Sequence, residues 1–203
     1  MTSELRTDSE LLASSVANPE AFLGLFERHF DRIAEYVARR AGGGAGDELA
    51  SEVFVRAFAD RRRYDPNRAD VLPWLYGIAT NVLREHFRES RRELALAEKL
   101  STEVAAGAAV ASSRSDDDLA SRVGVAMREL SAKDREPLLL YALGDLDYQE
   151  IADALTVPIG TVRSRINRAR AQLRQLLDDS AKTTRAAAVT APRLLAREGT
   201  SNG

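Results

Sequence analysis

Three observations predict an all-α fold: two small helical domains joined by a flexible linker. Apolar residues recur at intervals of three and four in two separate blocks, the period of a helix with one buried face. Aromatic residues make up only 6% of the 203-residue chain against 30% charged, a composition that suits helices better than sheets. Between the blocks, residues 93–118 are rich in alanine and serine and end in Asp116-Asp117-Asp118, with few large apolar anchors, so they read as the linker. Residues 1–17 read as an N-terminal extension, and residues 178–203, with Ala186-Ala187-Ala188, Pro192 and closing glycines, as a disordered or loosely helical tail.

The first block spans residues 18–92. Asn18-Pro19-Glu20 is a helix start: a capping side chain, a proline at the first helical position and an early acid for the dipole. Phe22, Leu25, Phe26, Phe30, Ile33 and Val37 then follow at helical spacing. Gly42-Gly43-Gly44-Ala45-Gly46 ends that helix. Asp47-Glu48 follows instead of Lys-Ser or Lys-Thr, so these glycines form a turn and not a phosphate cradle. A second helix from Asp47 carries Leu49, Val53, Phe54, Ala57 and Phe58. After a basic loop, Arg61-Arg62-Arg63-Tyr64-Asp65-Pro66, a third helix over residues 70–92 buries Trp74, Leu75, Ile78, Ala79, Val82 and Leu83. Asn81, Arg84, Arg88 and Arg91 follow at steps of three, four and three, which puts them on one face.

The second block spans residues 119–177. Val123, Met127 and Leu130 mark a first helix, and Ser131 caps a second that carries Leu138, Leu139, Leu140, Tyr141 and Leu143. Pro137 must sit in that helix's first turns or kink it. Asp147-Tyr148-Gln149-Glu150 is a capping box that opens a short helix through Ile151, Ala152 and Leu155. Pro158-Ile159-Gly160-Thr161 opens the last helix, whose apolar side is Ile159, Val162, Ile166, Ala169, Leu173 and Leu176. Its other side carries Arg163, Arg165, Arg168, Arg170 and Arg174 without an interleaved acid.

Composition excludes several chemistries. With no cysteine there is no disulfide, thiolate metal site or thiol nucleophile, and the two histidines, His29 and His86, have no ligand spacing. No paired carboxylates or nucleophile–base set emerges, so the chain does not read as an enzyme, and it calls for no cofactor, catalytic residue, metal or small-molecule substrate. No apolar run approaches a membrane span, and the acidic N-terminus does not resemble a signal peptide, so the cytoplasm is the expected location. A formal net charge of −2 argues at first against a nucleic-acid binder. The charges are nevertheless sorted: arginines end the first block and line the last helix, while acids gather at residues 47–52 and 116–118.

A short helix, a tight turn and a second helix with a basic face make a helix-turn-helix. An arginine-rich helix face is in general a solvated surface, but such a surface mixes signs, and this one does not. Its arginines can reach phosphates or donate two hydrogen bonds to a guanine edge in the major groove. In the first block, aromatics lie among cations, an arrangement suited to unstacked bases. Phe58 and Trp74 fit the core better, which leaves Tyr64, in the loop, as the candidate for base contact.

These residues carry a family resemblance. The run Asp47-Glu48-Leu49-Ala50-Ser51-Glu52-Val53-Phe54-Val55-Arg56-Ala57-Phe58, the Tyr64-Asp65-Pro66 loop, and Trp74-Leu75 through Asn81 to Arg92 resemble region 2 of bacterial sigma factors. Residues 130–177, with Tyr148-Gln149-Glu150-Ile151-Ala152 and Gly160-Thr161-Val162-Arg163-Ser164-Arg165, resemble region 4. With only these two regions and a short linker, the chain resembles the extracytoplasmic-function (ECF) group of the sigma-70 family, over about two thirds of its length. The resemblance implies a subunit that binds RNA polymerase core and promoter DNA, chooses promoters and helps melt them; a stand-alone helix-turn-helix regulator is the alternative. It implies that Asp47, Glu48, Glu52 and Arg56 dock on the polymerase β′ coiled coil. Tyr64, Asn81, Arg84, Arg88 and Arg91 would engage the −10 element. Thr161, Arg163, Ser164, Arg165, Asn167 and Arg168 would engage the −35 element, with the β flap as a further contact of region 4. An anti-sigma factor is an additional partner of the kind the family uses.

The chain departs from the family pattern in four places. Glu85 stands where Asp is more usual, and Asn167 replaces bulkier residues. Pro137 replaces an aliphatic residue. Thr156 fills a turn position commonly held by glycine, so this turn either has another geometry or carries strain.

Overall fold

The computed structural model describes residues 6–42, 44–67, 69–101 and 117–190. These form eight α-helices and two 3₁₀ turns, with no strand among the described residues.

The chain enters through a helix that periodicity did not reveal. Helix α1 (Asp8–Ser14) is capped by Thr7, whose hydroxyl accepts from the Glu10 amide while the Glu10 carboxylate accepts from the Thr7 amide. Leu11 and Leu12 are buried in the core. Residues read as an extension are therefore partly structural; seven residues are too few for an apolar period to show. Asp8 fastens α1 to the next helix, accepting from Arg28 at 2.8 Å and meeting His29 Nε2 at 2.5 Å. Burial works against the Asp8 carboxylate, but these two partners outweigh it and hold its pKa below the usual value.

Asn18 caps a 3₁₀ turn, Pro19–Phe22, that leads into α2 (Leu23–Ala41). Helix α3 (Gly46–Asp60) packs along α2, and a 3₁₀ turn (Arg61–Arg63) leads toward α4 (Val71–Ser101). Phe22, Phe26, Phe30, Phe54 and Phe58 form one aromatic cluster where α2 and the turn before it meet α3, three pairs edge to face and two tilted, with centroids 4.6 to 6.4 Å apart. Such pairs contribute about 0.5–1.5 kcal/mol each beyond the area they bury. Phe58 thus belongs to the core, as expected. Helix α4 runs beyond Arg92, so the first residues assigned to the linker are helical. Residues 102–116 of that linker lie outside the described residues.

The second block is α5 (Asp117–Glu129), α6 (Ala132–Leu143), α7 (Tyr148–Leu155) and α8 (Ile159–Thr190). The Ser131 hydroxyl accepts from the Asp134 amide at the start of α6, and Asp147 with Glu150 closes both halves of the capping box on α7. Pro137 lies inside α6, buried, and withholds the amide that would bond to the Lys133 carbonyl. Val123, expected on the buried side of α5, is exposed. Helix α8 passes Leu177 and continues to Thr190, so of the two alternatives for the tail the helical one holds over this part. Arg122 of α5 supplies part of the reason: Nε donates to Ser180 Oγ at 2.6 Å and Nη2 to the Leu177 carbonyl at 2.9 Å. Residues 191–203 lie outside the described residues.

The two blocks share one core. Helix α4 lies directly on α7. Tyr36 and Tyr76 meet edge to face at 4.9 Å, and an added Cβ on Gly144 would fall 3.1 Å from the Tyr76 ring. Arg32 of α2 donates to the Gly144 carbonyl at 3.2 Å.

The turn between α7 and α8 answers the question raised by Thr156. This residue is left-handed, at φ 53° and ψ 49°. Its amide donates to Asp153 O and that of Val157 to Ala152 O, the bond pair of a Schellman end. A β-branched residue in this region costs of order 1–3 kcal/mol, while glycine forfeits roughly 0.5–1 kcal/mol of chain entropy. Thr156→Gly should therefore stabilise the fold by about 1 kcal/mol, raising the melting temperature by about 2–4 °C in a chain of this size. Urea unfolding that shows no gain, or a loss, would mean that the turn is not held left-handed.

Candidate nucleic-acid interface

Helix α4 turns a polar stripe outward because its other side is committed to Leu75, Ala79, Val82 and Leu83, all buried. Asn81, Arg84, Arg88 and Arg91 are exposed along that stripe, as their spacing predicted. Arg84 Nη1 lies 3.4 Å from Asn81 Oδ1. Beside Asn81 opens a cleft of about 620 Å³, bounded in part by Tyr64, Trp74 and Ile78. The Tyr64 hydroxyl donates to the Ala69 carbonyl at 2.8 Å and lies 3.3 Å from Ser9 Oγ, with its ring 5.3 Å from Trp74. Burial raises the phenol pKa. Tyr64 therefore orders the loop through its hydroxyl and can offer only a ring face. Trp74, expected in the core, is half-buried and lines the same cleft.

Helix α8 begins at the turn held by Thr156, and its first turns carry the predicted groove-reading set. Arg163, Ser164 and Asn167 are exposed, while Thr161 and Arg165 are half-buried. Ser164 Oγ donates to the Thr161 carbonyl. Arg168 is exposed but occupied: Nη2 meets Asp134 Oδ1 of α6 at 2.9 Å, and Asp134 also accepts from Ser131. Arg170 stacks over Tyr141 with its guanidinium carbon 4.9 Å from the ring centroid. The unengaged arginine nearest the start of the helix is thus Arg163.

The acidic face of α3 separates in the same way. Asp47 and Glu48 are exposed. Arg56 bridges two helices instead, with Nε 2.7 Å from Glu52 and Nη1 2.7 Å from Glu85 of α4. Hydrogen bonds to Glu52 and to Glu85 hold its guanidinium above the ordinary value. The longer side chain of Glu85 serves this bridge. On the same face Val55 is 62% exposed, an apolar residue that the charge-based reading passed over. An aliphatic residue at the seventh position after Glu48 was the available signal. Among the described residues no group of acids and histidines could hold a metal ion. No helix among them is long and apolar enough to cross a membrane.

Comparisons with known proteins match both blocks. The family model for sigma-70 region 2 covers residues 25–93 and that for sigma-70 region 4 covers residues 121–173. The RNA polymerase sigma factor CarQ of Myxococcus xanthus is 31% identical over 161 residues, 79% of this chain and 91% of the relative. The ECF RNA polymerase sigma factor SigW of Bacillus subtilis is 30% identical over 170 residues, 79% of this chain and 90% of the relative. The structure of CnrH in complex with the cytosolic domain of CnrY superposes with a TM-score of 0.58 at 28% identity, covering 85% of this chain and 97% of that one. The sigma factor RpoE of Bartonella quintana, solved with the anti-sigma factor NepR, shares the fold at a TM-score of 0.50 and 23% identity, covering 77% and 96%. With both regions present in order and full-length relatives matched almost end to end, the chain belongs to the ECF group of the sigma-70 family of RNA polymerase sigma factors.

Proposed function

We propose that this chain is a promoter-specificity subunit: it binds RNA polymerase core, reads −10 and −35 elements through α4 and α8, and assists melting without bond chemistry of its own. The observation that carries this reading is the presence, on one chain, of two separate arginine-bearing helix faces. One sits beside an aromatic-walled cleft and the other opens a helix-turn-helix. In this role Asn81 holds an unstacked base of the −10 element, with Tyr64 and Trp74 as walls of the cleft and Arg84, Arg88 and Arg91 on the backbone. Arg163, with Ser164 and Asn167, reads the −35 element, and Thr161 and Arg165 take phosphates. Arg168 mainly fixes α8 to α6. Asp47, Glu48 and the exposed Val55 form the docking edge for the β′ coiled coil, which Arg56 and Glu52 brace, and region 4 meets the β flap. The work is cytoplasmic, where polymerase and promoter are. An anti-sigma protein is the natural restraining partner, in keeping with the complex of the sigma factor RpoE with the anti-sigma factor NepR.

Reconstitution tests the reading directly. Core enzyme plus this chain should initiate from cognate promoters in a genomic promoter library, and the chain alone should bind the same DNA weakly and with a steep salt dependence. Absence of any promoter-specific transcript would refute it, and tight, dimeric binding to a duplex operator without core would favour a stand-alone regulator. Arg163→Ala should cost about 1–3 kcal/mol of promoter binding by the holoenzyme and relax selectivity at one upstream position. Equal loss on random DNA would show a phosphate contact instead. Asn81→Ala should impair open-complex formation more than closed-complex binding, and permanganate footprints that show normal melting would contradict it.

A further inference from the structure

Helix α1 is a strut between α2 and the loop that leads to the cleft beside Asn81. It is fixed to α2 by polar contacts at its start. Asp8 accepts from Arg28 Nη1 at 2.8 Å and meets His29 Nε2 at 2.5 Å, and the same Arg28 nitrogen donates to the Arg6 carbonyl at 2.8 Å. Leu11 and Leu12, both buried, anchor it in the core. The strut meets the loop at two points. The Ser15 carbonyl, at the end of α1, accepts from Arg61 Nε at 3.2 Å, and Ser9 Oγ lies 3.3 Å from the Tyr64 hydroxyl.

Proton count sets the direction of the second bond. A phenol has one proton to give. Tyr64 gives it to the Ala69 carbonyl at 2.8 Å, so Ser9 donates and the Tyr64 oxygen accepts. Tyr64 is thereby held twice, by its own loop and by α1. The loop has little else to fix that ring. Pro66 has no amide to donate, and Asp65 closes only a local turn, accepting from the Asn67 amide at 2.9 Å. The Tyr64 ring packs 5.3 Å from Trp74, and both line the cleft with Asn81. A displacement of Tyr64 therefore moves a wall of the cleft while Asn81 stays in place on α4.

We propose that Ser9 is a positioning residue for −10 selectivity: by donating to the Tyr64 oxygen it sets where the aromatic wall of the cleft stands, and so how closely the cleft fits the base it admits. The proposal rests on the promoter-reading role given above and extends it to a residue outside both DNA-reading helix faces. A fixed wall discriminates by clashing with the wrong base, whereas a wall free to move accommodates several. Backbone contacts from Arg84, Arg88 and Arg91 are indifferent to the base, so loosening the wall relaxes selectivity more than overall grip.

Holoenzyme assembled from the full chain and core enzyme tests this on a promoter substituted one base at a time. Ser9→Ala removes the donor while improving the helix propensity of α1, so the variant should fold as the parent does. It should lower discrimination at one −10 position roughly three- to tenfold, the factor that a single neutral hydrogen bond supplies, and leave discrimination across the −35 element unchanged. Ser9→Thr, which keeps the hydroxyl, should restore the parent's selectivity. In a Tyr64→Phe background, Ser9→Ala should add no further loss, because the shared bond is already gone. A second measurement needs no DNA. Trp74 is the only tryptophan in the chain, so its fluorescence reports on the neighbouring Tyr64 ring. Ser9→Ala should raise acrylamide quenching of Trp74, and Ser9→Thr should not. Unchanged quenching overturns the route through Tyr64, and unchanged −10 discrimination overturns the effect on selectivity. Equal loss at both elements also overturns it, since that is a general weakening and not a moved wall. If the parent holoenzyme gives no promoter-specific transcript, the promoter-reading role fails and the selectivity claim falls with it. Quenching then still decides whether Ser9 places Tyr64.

Discussion

The placement of every other element across the seam depends on burying two opposite charges together. Arg40 and Glu136 can be dry only if both blocks are present and in register, since a guanidinium or carboxylate left alone in that position costs several kcal/mol. The bidentate geometry and the Tyr36 hydroxyl satisfy most of their hydrogen-bonding capacity. Such a pair contributes little net stability compared with a well-packed apolar substitute; what it supplies is a single allowed alignment. Alignment of α2 with α6 in turn sets α4 against α7, where Gly77 and Ala154 leave no room for a different register.

Local signals were legible in the sequence because they are complete within about four residues. Asn18, Ser131 and the Asp147–Glu150 box all cap helices in the structure as their positions predicted. The seam was not legible, because each of its members already has a sufficient local reading. Arg40 reads as a cation in the last turn of a helix, favourable to the dipole, and Glu136 as an ordinary polar residue of α6. Lys133, three residues before Glu136, already offers it an ordinary partner on the helix, so nothing nearby marks it as buried. Helix α1 stayed hidden for a different reason: two leucines in a seven-residue helix do not make a period. The continuation of α8 depends on Arg122, more than fifty residues earlier.

The interface shows the same division between face and occupancy. Spacing correctly placed Asn81, Arg84, Arg88 and Arg91 on one exposed stripe, because helical geometry alone decides that. It could not show which side chains already have partners. Arg168 is engaged by Asp134, Arg56 by Glu52 and Glu85, and the Tyr64 hydroxyl by Ala69. Apart from Glu52, one turn back on α3, these partners lie on other helices or across a loop turn, so composition treats engaged and free arginines as equal. The unengaged positions then become the more informative ones: Arg163 on α8, and Val55 on the acidic face of α3.

Selectivity in the proposed role gains from this arrangement. A chain with one large basic surface would hold any duplex, because phosphate contacts are indifferent to sequence. Here the total charge is −2, and the arginines proposed to read DNA are divided between two separate helix faces. Held at a fixed separation on polymerase, two weak readers act in concert, and the second contact becomes intramolecular.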